Sequence, residues 1–185
     1  MTGRTQNQKG FSLVEVLVVI AILGVILTAI YSLFMSANKS QISQDLEVEM
    51  QQNARSAAEF IVRELRNMSS LSCLENTGTA CATSGDKIQF TSMTDTNPSI
   101  SRIFSLSAAD NILRFSNTLV PNREKLADNI TSFTLTPRDA NNNITSVIGS
   151  VRRIDITLTA QTSMIDPNTK GYRTYSTTTS VMKRN

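Results

Sequence analysis

From Val16 to Asn38 the chain carries no charged side chain. Leu, Ile and Val dominate the run, and Gly24 alone interrupts its helix-compatible composition. As a helix it spans roughly 34 Å, enough for a hydrocarbon core of ~30 Å. Glu15 stands at its head. A carboxylate within a membrane helix costs roughly 2.5–3.5 kcal/mol on insertion scales. Either Glu15 sits at the headgroup boundary and needs no partner, or something offsets the charge.

The ten residues ahead, 1–10, are polar and hold two basic side chains, Arg4 and Lys9, with no acid. A secretory signal places its apolar region before the cleavage site and a small-residue site after it. Here the order is reversed, so a cut after Gly10 would leave the whole apolar run on the mature protein. The basic flank predicts a cytoplasmic N-terminus and a chain whose bulk is extracytoplasmic.

The short basic leader, the Gly10-Phe11 junction, Glu15 and the run that follows closely resemble the type IV prepilin signature, shared by type IV pilins and type II secretion pseudopilins. The resemblance implies a filament subunit held in the inner membrane, with its bulk in the periplasm, until a prepilin peptidase cuts after Gly10 and methylates the amine of Phe11. Glu15 would then pair with the N-terminal amine of a neighbouring protomer and set register. The implied partners are other pilins or pseudopilins, the peptidase and an inner-membrane assembly platform. Many major pilins carry Pro near the twenty-second mature residue. Here that position is Ser32 and no Pro precedes Pro98, which points towards a minor subunit and an unbroken helix.

Beyond Asn38 the helical pattern continues. Ile42, Leu46, Met50, Ala54, Ala57, Ala58, Ile61, Leu65 and Met68 recur at spacings of mostly three or four, one apolar stripe. Glu59 and Arg63 are spaced as a favourable i,i+4 pair. A single helix from about Ser12 to Met68 would be roughly 85 Å long. The stripe does not sustain an a/d heptad, so it predicts a helix face covered by a sheet. Residues 51–66 also resemble the end of the helix in minor pilins of the PilW type and pseudopilins of the J type.

From Ser69 short apolar groups alternate with turn residues. Strands are expected at Lys87–Thr91, Ser101–Leu106, Ile112–Phe115, Ile130–Thr136 (ended by Pro137), Val151–Ala160 and Tyr172–Met182. The second and third form a hairpin through Asp110 and Asn111. Val151–Ala160 alternates most cleanly, with Ile154, Ile156, Leu158 and Ala160 on one face. The expectation is an α+β fold: a long helix on an antiparallel sheet of four to six strands. Its parts are a leader (1–10), a membrane or filament-core helix (11–38), an amphipathic continuation (39–68) and a β-domain (69–185).

The chain has 18 basic and 15 acidic side chains, and without Arg4 and Lys9 the balance falls from +3 to +1. Such a balance does not support a general nucleic-acid role. His is absent, which removes the usual general base and the commonest metal ligand. Asp128, Asp139, Asp155 and Asp166 show no catalytic spacing and read as turn or solvent-facing residues. Asp139, Asn141 and Asn143 alternate like a calcium loop but lack its Gly and distal Glu. Arg152-Arg153 could contact DNA or an anionic partner, but such a pair usually marks a solvated strand end. No enzyme activity, catalytic residue, metal site or cofactor is expected. Cys73 and Cys81 lie close together in what reads as a polar loop. In an oxidising compartment they would form a disulfide, worth about 2.5 kcal/mol by loop closure; in a reducing one they would stay thiols. The export expected from the N-terminus favours the disulfide.

Three functional readings follow. The first is a minor pilin that primes or caps a type IV pilus. The second is a J-type pseudopilin at the tip of a type II secretion pseudopilus. The third, of another class, is a single-pass membrane-anchored binding module.

Overall fold

In a computed structural model of the chain, Gly10, residues 12–75, Cys81 and residues 86–93, 100–117 and 120–183 are described. Phe11, Arg4 and Lys9 lie outside the described residues. The chain forms two compact units, Met1–Ile42 and Ser43–Asn185. One helix, α1 (Leu13–Arg66, 54 residues), contributes to both. It passes Ser32 unbroken, as expected without Pro, and it accommodates Gly24, whose carbonyl accepts the Thr28 Oγ1 hydroxyl at 2.8 Å.

In the first unit every described residue is exposed, including the apolar side chains from Leu13 to Met35. In the second unit α1 buries Ser43, Leu46, Met50, Ala54, Ala57, Ala58, Ile61 and Leu65. The stripe is therefore the expected one with two changes. Ile42 is exposed, and Ser43 is buried where its hydroxyl finds a carboxylate. Met68 is buried too, but in a strand, because α1 ends at Arg66. The expected Glu59–Arg63 ion pair is not formed; the Arg63 guanidinium lies over the Phe60 ring instead, 5.2 Å from its centroid.

Among the described residues eight strands follow: β1 (Met68–Leu74), β2 (Asp86–Ser92), β3 (Arg102–Ser107), β4 (Ile112–Asn117), β5 (Val120–Ala127), β6 (Ile130–Arg138), β7 (Arg153–Gln161) and β8 (Thr174–Met182). They make two antiparallel sheets, β1-β2-β3-β4-β5 and β6-β7-β8. This corrects the expected single sheet of four to six strands. β1 and β5 were not expected. β1 follows α1 with only Asn67 between, and two register shifts break its alternation. β5 carries Pro121, Arg123, Glu124 and Lys125, which depress a strand signal.

The β3–β4 hairpin turns at Asn111, whose φ of 55° is left-handed, a conformation Asn tolerates better than most residues. β6 runs through Pro137 rather than ending at it. It is an outer strand, where a missing N–H costs no ladder bond. β7 buries Ile154, Ile156, Leu158 and Ala160 as the alternation requires. The core joins this face to α1 and the first sheet. Phe60 of α1 meets Phe104 and Phe115 edge-on at 6.2 and 5.4 Å, and Phe90 stacks on Phe104 at 5.9 Å.

Candidate functional site

The N-terminal site begins with Gly10, which is exposed, and Ser12, whose carbonyl starts the helix by accepting the amides of Glu15 (3.0 Å) and Val16 (3.3 Å). Glu15 lies in the first turn. There the carboxylate faces the positive end of the helix dipole, a favourable location. Ser12-Leu13-Val14-Glu15 also has the spacing of a capping box, a signal the sequence reading passed over. Among the described residues neither Ser12 nor Glu15 makes the side-chain bonds that would complete it. The Glu15 carboxylate is thus exposed and unpaired at the head of an exposed apolar helix long enough to cross a membrane.

Residues 5–31 match the model of the prokaryotic N-terminal methylation motif. The chain carries that motif. It supports a type IV pilin-like protein, a family of structural rather than enzymatic subunits, and the exposed apolar helix is consistent with a membrane anchor. The match covers the Gly10-Phe11 junction and Glu15 together with the charge-free run as far as Tyr31. No curated protein and no solved structure matches the chain.

In the second unit the structure joins Cys73 to Cys81 as a disulfide, with Cα atoms 5.2 Å apart. Cys73 is not in a loop: it is a buried residue of β1. The bridge ties this outer strand to the segment that leads into β2.

The four aspartates divide. Asp139 closes a turn, accepting the amides of Asn141 (2.8 Å) and Asn143 (2.9 Å). Asp128 pairs with Lys125. Asp155, on the outer face of β7, is held by Arg138 of β6 (2.6 Å) and by Arg153. Burial pushes its carboxyl up, but the two arginine hydrogen bonds outweigh this and hold it below its usual range. Arg153 is therefore engaged within the sheet, and Arg152 bonds the carbonyls of Gly149 and Val151.

Asp166 departs furthest from expectation. It does lie beside a turn, but it is inaccessible to water rather than solvent-facing. Ser43 of α1 donates to Oδ2 at 2.7 Å, and the amides of Asn168 and Thr169 donate to Oδ1 at 2.7 and 3.2 Å. The Ser43 hydroxyl holds the carboxyl low against the opposing effect of burial, helped by those amides and Arg173. Arg173 also pairs with Glu47 of α1 at 2.8 Å. The loop between β7 and β8 is thereby fastened to the helix by polar contacts. Sequence spacing could not have found this, because Ser43 and Asp166 are 123 residues apart. Among the described residues no three His, Cys, Asp or Glu side chains gather as a metal site.

Proposed function

We propose that the chain is a minor pilin of a type IV pilus, cleaved after Gly10, methylated on Phe11 and inserted into the filament to prime or cap it. The observation that carries this reading is the methylation motif over residues 5–31, set on a helix whose apolar side chains from Leu13 to Met35 are exposed. Before assembly that surface is satisfied by lipid, with the N-terminus cytoplasmic and the β-domain periplasmic. After assembly it is satisfied by the same helix surface of neighbouring subunits. Glu15 has a use in the second state: its carboxylate would pair with the methylated amine of the next subunit and set the axial register. The cost of a charge near the membrane is then offset on assembly. The unbroken helix at Ser32 supports a minor rather than a major subunit. The Cys73–Cys81 disulfide supports an oxidising compartment.

Mass spectrometry of the mature N-terminus in the native host tests the processing. The expected result is N-methyl-Phe at position 11. An intact leader on a functional protein would instead favour an anchored binding module. The J-type pseudopilin alternative shares the same processing, so deletion separates the two: a pilus subunit is required for pili, a pseudopilin for exoprotein release.

A further inference from the structure

Among the described residues the two sheets have four outer strands, β1, β5, β6 and β8. An outer strand offers unpaired backbone groups to any other chain, so folded proteins blunt such edges with Pro, charge, bulges or short length. Three of the four are blunted. β1 has two register shifts and a disulfide. β5 has register shifts, Pro121 and three charged residues. β6 has a register shift and Pro137, and Ile144 bridges its Arg138 end.

β8 has none of these devices. It is nine residues long, without Pro or charge, and pairs with β7 in nine consecutive steps without a shift. Its hydrogen-bond phase is fixed at both ends: Lys183 N donates to Arg152 O, and Thr162 N donates to Arg173 O. Antiparallel pairs alternate between bonded and non-bonded. With the register unbroken, Tyr175, Thr177, Thr179 and Val181 bond to β7. The amides and carbonyls of Thr174, Ser176, Thr178, Ser180 and Met182 are directed to the open side.

That strand borders a groove of about 660 Å³ between α1 and Thr177–Thr179. The helix side presents Arg55, Arg63 and Arg66 against a single acid, Glu59. Arg55 is engaged with Tyr175, its Nε 3.4 Å from the phenol oxygen. Among the described residues Arg63 and Arg66 are in no ion pair.

We propose that β8 is a strand-addition site for an extended, acidic segment of a partner protein. The segment would extend the β6-β7-β8 sheet by one strand, with its main chain on the open amides and carbonyls and its carboxylates on Arg63 and Arg66. Backbone bonds give such pairing its affinity and side-chain complementarity its choice of partner. A second copy of the chain is the poorer occupant, since edge-to-edge pairing of two β8 strands would bring two sets of the same arginines together. The inference stands on residues 55–67 and 174–182 and does not depend on the N-terminal motif.

The test uses the full-length chain in detergent micelles and synthetic peptides as long as β8, nine residues. In these peptides Thr and Val alternate, with Glu, Lys or Ser at shared positions. Residue-resolved amide exchange is followed at Ser176, Thr178 and Ser180. The Glu peptide is expected to slow exchange there and to bind about tenfold more tightly than the Lys peptide. Thr178→Pro removes one outward amide and no backbone bond to β7, only the exposed side-chain contact with Thr157 Oγ1 at 3.2 Å, so it should abolish the effect while the chain still unfolds cooperatively. The double variant Arg63→Glu/Arg66→Glu should reverse the preference to the Lys peptide, and it keeps the test decisive if the proline variant fails to fold. No slowing with the Glu peptide, or equal slowing with all three, overturns the proposal. So does protection that survives Thr178→Pro, or protection of the free chain that rises with its own concentration, which would assign the edge to a second copy.

Discussion

Ser43 and Asp166 show how one hydroxyl can decide the fate of a buried charge. A carboxylate removed from water is costly unless hydrogen bonds replace its hydration. Asp166 has three donors, and the Ser43 hydroxyl is the one that comes from the helix. Its acidity is raised by those donors, and the Asp155 carboxyl is likewise held low by Arg138 and Arg153. Both groups have folded-state values below the unfolded one, about 3.9 for Asp. Their contribution to stability is therefore complete above that value and is lost as pH falls through the lower folded values. Thermal melts across acidic pH should show a decline beginning near pH 4, and Asp155→Asn should make that decline shallower. At neutral pH Asp155→Ala should cost roughly 1.5–3 kcal/mol, the range for hydrogen bonds to a charged group; an unchanged denaturation midpoint would show that the arginines are equally well solvated without it. Glu15 is the opposite case, an exposed carboxylate with no partner among the described residues. Glu15→Ala should leave the fold intact and reduce incorporation into filaments, scored by immunoblot of sheared pili; normal incorporation would remove it from the register pair.

Ala54 and Ala57 are fully buried within α1, so the helix presents small side chains where it meets the core. Enlarging such a site forces neighbouring side chains off their preferred rotamers. Ala54→Leu should destabilise the second unit by about 1–3 kcal/mol, read from the urea midpoint. Ile61→Ala at the same face should cost about 2–5 kcal/mol by leaving a cavity. These elements were legible where periodicity is clean. The spacing of Leu46 to Leu65 marks the buried face of α1, and the alternation in β7 marks its inward residues. Legibility fails where a strand departs from strict period two. β1 reads Met-Ser-Ser-Leu-Ser-Cys-Leu, and its register shifts place Cys73 and Leu74 both inside. β6 resets its phase at the shift between Ile130 and Ser132, which brings Phe133 and Leu135 onto the face that Ile130 shares. Period-two reading cannot see a bulge, because the extra residue is fixed by pairing with a distant partner strand. The N-terminal motif was legible for the opposite reason: its residues are contiguous and its signal needs no tertiary partner.

At the scale of the molecule, the division of labour between the two units is a matter of where apolar area is buried. The core cluster starts at Met50 and ends at Val181, whereas every described residue up to Ile42 is exposed. Burial of apolar surface is the main favourable term in folding, and the described residues up to Ile42 bury none. The sequence could place the boundary near Asn38 by the return of charge. It could not show that the β-domain splits into two sheets, since strand order is a property of long-range pairing. A chain comprising only residues 43–185 should therefore stay soluble without detergent and unfold in one cooperative transition. Its helix would begin at Ser43, and only a frayed first turn, with the Ser43–Asp166 contact in it, would be lost. A loss of about 1 kcal/mol would lower the melting temperature by about 4 °C for a unit of this size. Circular dichroism melts and gel filtration check this. A shortened chain that aggregates, or that melts without cooperativity, would show that the first unit supports the fold of the second, and the apolar run could not then be assigned to membrane and filament alone.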